Sequence, residues 1–182
     1  MTSLLRRVRA LLTGAHELPT GFDGELEGEE RVLATASGTH GPLVATNRGL
    51  WLPEESGARR VGWHLLSHVR WQDGVIGIVE AEEWQWVDGA VLLRDRPRRD
   101  FRLNAAGKLP DVVHSRVTRS IRSTQYRELP DVGGARFVRR GVPGRDGTVL
   151  QVRADPGTDE AALVEYTREV ARRLESVAES GE

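Results

Sequence analysis

Three short reversals constrain this chain more than any other feature. Thr46-Asn47-Arg48-Gly49, Asp73-Gly74 and Asp88-Gly89 each stand between two apolar runs. Leu43-Val44-Ala45 and Leu50-Trp51-Leu52 flank the first. Val69-Arg70-Trp71 and Val75-Ile76-Gly77-Ile78-Val79 flank the second; Trp84-Gln85-Trp86-Val87 and Ala90-Val91-Leu92-Leu93 flank the third. Asn, Asp and Gly tolerate positive φ, so each reversal predicts a β-hairpin. Further strands are expected at Arg31–Ser37, Arg59–Trp63 and Arg99–Leu103. Strands at this spacing indicate an antiparallel barrel or sandwich rather than alternating β and α units.

Past Pro110 the period changes. Val113, Val117 and Ile121 recur every four residues, with Leu109 and Val112 beside them. This predicts a helix with one buried stripe, ending near Leu129-Pro130. Pro110 suits its first turn and Asp111 its positive end. Ala135–Arg140 and Thr148–Arg153 then predict a hairpin across the loop Gly141–Gly147. Leu163, Tyr166, Val170, Leu174 and Val177 mark a final helix, which Thr158 can cap. Glu165 with Arg168, and Glu169 with Arg173, can pair on its surface. The expected plan is an N-terminal helix and irregular arm over residues 1–30, a barrel with its capping helix over 31–129, and a ββα extension over 130–182. The fold class is α+β.

Composition narrows the function. The chain has 182 residues and no Cys, which excludes disulfides, thiolate catalysis and Cys-held metal or iron–sulfur sites. A net charge of −1 argues against nucleic acid as a partner. No apolar run approaches the ~20 residues of a membrane span, and no apolar core of a secretory signal is visible. A cytoplasmic location is expected, with the inner face of the membrane as a peripheral option.

The charges are unevenly spread. Every charged residue from Glu17 to Glu30 is acidic, whereas ten basic residues lie between Arg94 and Arg127. Within the acidic arm Phe22 and Leu26 are lone apolar anchors, and its acids are candidates to face the basic region. Arg116, Arg119 and Arg122, with Arg99 and Arg102, are a candidate anion-binding or partner-binding patch. No aromatic residues interleave with them as base-stacking platforms, and a charge run is commonly solvated surface. Ser3–Leu12 reads as a short basic amphipathic helix. Leu4, Leu5, Val8, Leu11 and Leu12 form its apolar face, a candidate for weak contact with anionic membrane.

Catalytic patterns are weak. His64 and His68 have a helical metal-ligand spacing, but Leu65 stands where a zincin needs Glu. Gly141–Gly147 lacks the Lys and following helix of a phosphate loop. No serine stands in a nucleophile elbow, and acid pairs such as Glu82-Glu83 face solvent by default. No catalytic residue, metal or cofactor is expected. Of the five Trp residues, Trp51 and Trp71 are expected in the core. Trp84 and Trp86, two apart on one strand, share a face and are a candidate aromatic contact surface.

The first strand, then Val44-Ala45-Thr46-Asn47-Arg48-Gly49-Leu50, then Arg59–Trp63 leading into Leu66-Ser67-His68-Val69, with a closing helix, resembles the bacterial PH-like (GRAM-related) domains. Leu18-Pro19-Thr20-Gly21-Phe22 and Leu109-Pro110 add a likeness to uncharacterised PH-like proteins of high-GC Gram-positive bacteria. The resemblance covers about residues 31–128. It implies a bent, near-closed sheet of about seven strands with a helix plugging one end. In PH domains that bind inositol lipids, basic residues surround the first strand–strand loop. Here that loop, Ser37-Gly38-Thr39-His40-Gly41, has neither Lys nor Arg. The function expected first is a non-enzymatic binding or scaffold protein acting through protein contacts, a homo-oligomer included. The alternatives are a peripheral membrane protein using Ser3–Leu12, and a small-ligand sensor or enzyme.

Overall fold

The computed structural model describes residues 17–129 and 133–179, with side chains as far as residue 173. The expected helix Ser3–Leu12 and its membrane-facing Leu4, Leu5, Val8, Leu11 and Leu12 lie outside the described residues. In chain order the elements are β1 (Val32–Gly38), β2 (Gly41–Thr46), β3 (Gly49–Leu52), β4 (Arg59–Gly62), β5 (Leu66–Gln72), β6 (Val75–Val87), β7 (Ala90–Asp95), β8 (Arg99–Ala105), α1 (Leu109–Ser120), β9 (Ile121–Leu129), β10 (Gly133–Arg140), β11 (Val149–Ala154) and α2 (Glu160–Glu179). The described chain is mostly strand with two helices, an α+β protein.

Two of the three reversals form as the residues dictate. φ is 51° at Asp73 and 75° at Gly74, and 44° at Asp88 and 77° at Gly89, the paired positive values of a two-residue hairpin turn. The turn at Thr46–Gly49 works differently. Neither Asn47 nor Gly49 has a positive φ. Thr46 Oγ1 instead accepts the backbone N–H of Arg48 and of Gly49, each at 3.1 Å. Gly49 is there for space, because a Cβ would collide with the Val61 carbonyl oxygen of β4.

Contacts divide the chain into two compact units. The first holds the chain to Glu80 with Pro97–Thr118; the second holds Ala81–Arg96 with the chain from Arg119. β6 contributes its first part to one unit and its second part to the other.

In the first unit the strand order is β4-β3-β2-β1-β8-β6-β5, antiparallel throughout. The expected closed barrel is not formed as a ladder, because no pairing joins the end strands β4 and β5. A 3-10 turn, Trp63–Leu65, connects them instead. One face of this sheet buries Leu43, Leu50, Leu52, Val61, Trp63, Ile76, Ile78 and Phe101, with Leu109 and Val113 of α1 packed into the same cluster. Trp71, expected in the core, is 42% exposed. It stands near the tip of the β5–β6 hairpin, on a strand whose only neighbour among the described residues is β6.

The helix after Pro110 is shorter than its apolar rhythm suggests. Val113 is buried and Val117 partly so, but Ile121 opens β9 and is exposed. Position 125, the next in the rhythm, is Gln. Thr124 and Tyr126 suit a strand, and pairing with β10 from Leu129 back to Ile121 takes the segment out of the helix.

The second unit orders its strands β6-β7-β11-β10-β9. The expected β10–β11 hairpin forms, but β11 lies parallel to β7, so this sheet is mixed. Val87, Leu92, Leu129, Ala135, Phe137 and Val152 form a core with Leu163, Tyr166 and Val170 of α2. The side chains of Leu174 and Val177 lie outside the described residues. Thr158 does not cap α2. Its hydroxyl donates to the Gly134 carbonyl at 2.8 Å, while Asp159 Oδ1 accepts the Ala162 N–H at 2.8 Å in the capping role. Glu165–Arg168 and Glu169–Arg173 pair as expected.

Candidate interaction surface

The densest polar network of the first unit surrounds Thr46–Gly49. The Glu30 carboxylate is buried beside the turn and accepts from Thr46 Oγ1 at 2.6 Å, Trp51 Nε1 at 2.8 Å and Arg60 at 2.5 Å. Arg60 reaches Glu27 at 2.7 Å, and Arg48 pairs with Glu27 as well. The Arg60 hydrogen bond lowers the Glu27 carboxyl below its ordinary value, against a smaller opposing effect of burial. Asn47 Oδ1 accepts the Arg31 N–H at 2.7 Å and its amide donates to the Glu29 carbonyl at 3.2 Å. Phe22 meets Trp51 edge-on, ring centroids 5.5 Å apart, and Leu26 packs on the same cluster. Glu27 and Glu30 of the arm are thus spent on Arg48 and Arg60, and among the described residues no ion pair joins the arm's acids to the basic run after Arg94. The network is a clamp that fixes the arm to the sheet. Glu30 lies wholly inside it, while Glu27 stays half-exposed at its rim.

The candidate arginines do not form one set. Arg99 and Arg102 lie on β8 and Arg116 on α1, all in the first unit; Arg119 and Arg122 belong to the second. Arg99 is engaged: it donates to Glu54 at 2.6 Å, lies 3.5 Å from Glu80, and stacks 5.0 Å from the Phe101 ring. Arg59 completes this ionic cluster, bonding Glu80 at 2.8 Å and Glu54 at 3.0 Å. Burial pushes the Glu54 carboxyl up, but hydrogen bonds from Arg99 and Arg59 outweigh it, so the group titrates below its ordinary 4.5. Arg102, Arg119 and Arg122 are exposed and Arg116 is half-buried.

Trp84 and Trp86 part company. The β6–β7 register shifts between Glu83 and Gln85, a bulge that breaks the alternation. Trp84 packs on the second unit's core with the Arg94 guanidinium 4.4 Å from its ring, whereas Trp86 stands outside that core and is 53% exposed. His64 sits in the 3-10 turn and His68 on β5, so no helix aligns their rings. Among the described residues no three His, Cys, Asp or Glu side chains cluster as metal ligands. No described helix is long and apolar enough to cross a membrane.

Residues that sequence reasoning missed lie in the second unit. Arg140 is 2% exposed and donates to Ser120 Oγ at 3.0 Å. Burial and the nearby Arg153 push its guanidinium down to about 10. Arg153 in turn pairs with Asp95 at 3.2 Å. The available signal was parity, since Arg140 falls in phase with the buried Val138 on β10.

β9 is the open feature. It is nine residues long, and only Leu129 is buried. Among the described residues its sole neighbour is β10. Gly134 directs its own N–H and carbonyl to Thr158 and Asp155, away from β9. Its partner in register, Glu128, therefore points its backbone groups away from β10, and so do Tyr126 and Thr124 by alternation. Ser123, Gln125 and Arg127 hold the ladder to β10. A bulge at Arg122 ends it, where the register passes from Arg139–Ser123 to Arg140–Ile121. Tyr126 lies across Gly134 and donates its hydroxyl to Asp155 at 2.8 Å, a bond that raises its pKa.

Comparison with protein-family models, with curated proteins and with solved structures yields no match.

Proposed function

We propose that this protein is a non-enzymatic binding or scaffold module that works through polypeptide contacts, made at the β9 edge of its second unit. The observation that carries the reading is the bare strand: eight of nine residues exposed, and one side unpaired among the described residues. Unpaired strand edges bind extended polypeptide through main-chain hydrogen bonds, with side-chain matching for specificity. The polar clusters of the first unit support the same reading, because Glu30 is spent on Arg60 and Glu54 on Arg59 and Arg99.

The first unit is best read as a PH-like scaffold. Seven strands in one antiparallel order, followed by a helix whose Leu109 and Val113 enter the sheet's core, support that reading. The β6–β7 hairpin is then an insertion ahead of the last scaffold strand.

A photo-crosslinking residue in place of Gln125 tests the reading in native extract. The expected result is capture of polypeptide at position 125, lost on Thr124→Pro and absent with the probe at Glu169 on α2. Equal capture at both positions, or turnover of a hydrolase or transferase substrate abolished by one polar substitution, would overturn it.

A further inference from the structure

We infer that the partner taken up by β9 is a second copy of this chain, the two β9 strands pairing antiparallel about a two-fold axis centred on Gln125. The inference rests on β9 being the contact edge.

Backbone parity restricts the register. Thr124, Tyr126 and Glu128 carry the outward N–H and carbonyl groups. Antiparallel strands bond only where outward residues face outward residues. Registers displaced by a single residue are therefore excluded. Of those that remain, centring on Tyr126 would pair three outward residues and centring on Gln125 two, so the choice between them falls to the side chains. The Gln125 register is the one they favour. It sets Thr124 opposite the partner's Tyr126, and Tyr126 opposite the partner's Thr124. Each such pair exchanges two main-chain hydrogen bonds, so the seam gains about four. The bulge at Arg122 limits the ladder to this central stretch.

The side chains match the same register. Arg122 comes opposite the partner's Glu128, and Glu128 opposite the partner's Arg122. Both are exposed, and among the described residues neither has an ion-pair partner within its own chain. Thr facing Tyr is a favourable cross-strand pair, and the opposite charges meet just beyond each end of the bonded stretch. On the other face the partner's Arg127 meets Ser123, so no like charges oppose. A displacement by two residues in either direction loses the Arg–Glu match. Tyr126 at 53% exposed and Ile121 at 38% add apolar surface beside the seam. The net charge of −1 sets up no long-range repulsion between copies. A seam of this size falls below the ~1,600 Å² of a standard interface, so the dimer is weak and reversible.

Sedimentation equilibrium of the full chain, from micromolar to millimolar concentration, is the test. Wild type is expected to pass from monomer to dimer. Thr124→Pro removes an outward donor without touching the β10 ladder, and is expected to abolish the dimer. Arg122→Glu and Glu128→Arg each place like charges opposite one another twice per dimer, and each weakens association about tenfold. Combining the two restores it, and because both positions are exposed single charges the folded chain survives the swap. A chain that stays monomeric throughout, or a dimer indifferent to all these variants, overturns the inference. If the crosslink at position 125 still captures another polypeptide in that case, β9 remains a contact edge for a different partner. If the crosslink also fails, the broader reading falls with it.

Discussion

The turn at Thr46–Gly49 and the strand β9 are built from similar residues and behave oppositely. Both offer Thr, Arg and an aromatic within a few positions, and each has a Glu carboxylate close by: Glu30 reaches the turn from the arm, and Glu128 lies on β9 itself. At the turn each group is met from inside: Glu30 takes four donors, Asn47 ties down Arg31, and Arg48 and Arg60 share Glu27. On β9 the main chain is half satisfied, and Arg122 and Glu128 stand unpaired among the described residues. Composition does not separate a clamp from a contact surface. What separates them is whether a neighbouring element arrives to complete the bonds. The arm arrives at the turn; nothing described arrives at β9.

The contrast breaks most visibly at Glu30. Glu30→Ala leaves the Thr46 hydroxyl, the Trp51 indole and Arg60 without their acceptor in a buried place, and should cost about 3–5 kcal/mol by urea unfolding. A loss under 1 kcal/mol would mean that water already serves these groups. Gly49→Ala comes next. Its cost, about 2–3 kcal/mol, arises from the collision with the Val61 carbonyl and not from φ. A crystal structure of the variant should show β3 and β4 pushed apart at that residue, and an unchanged spacing would contradict the packing account.

A smaller effect is a pH dependence. The Glu54 carboxyl is lowered in the folded chain, so it contributes stability above its ordinary 4.5 and loses it as pH falls through the folded value. Urea midpoints measured downward from pH 6 should decline once pH passes below 4.5, and less steeply in Glu54→Gln. Equal slopes for the two proteins would mean that the Arg59–Arg99 cluster contributes nothing in solution. Smallest of all, Arg122→Glu should shift folding stability by no more than about 0.5 kcal/mol in dilute solution. A large loss would show that β9 is structural and not a surface for partners.

The sequence made the strands legible where turn chemistry is local. Asp73-Gly74 and Asp88-Gly89 carry their backbone geometry in two residues, and the stripe Leu163, Tyr166, Val170 needs only helical spacing. It misled where long-range pairing decides. Val113 and Val117 set a four-residue rhythm that Ile121 continues in sequence, yet the ladder to β10 claims the segment. Thr158 looks like a cap but is held by Gly134, leaving Asp159 to cap. Trp84 and Trp86 read as one face until a bulge separates them. The surface proposed for contact was hidden for the same reason. An edge strand has no signature of its own, because being an edge is a property of what is missing beside it.

Residue-resolved amide hydrogen exchange tests the central contrast most directly. In dilute solution the amides of Ser123, Gln125 and Arg127 should be protected while those of Thr124, Tyr126 and Glu128 exchange freely. The Arg48 and Gly49 amides should be protected at every concentration. Raising the concentration should slow exchange at Thr124 and Tyr126 and leave Arg48 and Gly49 unchanged. Uniform exchange along β9, or protection of Thr124 and Tyr126 already complete in the dilute monomer, would contradict an open edge.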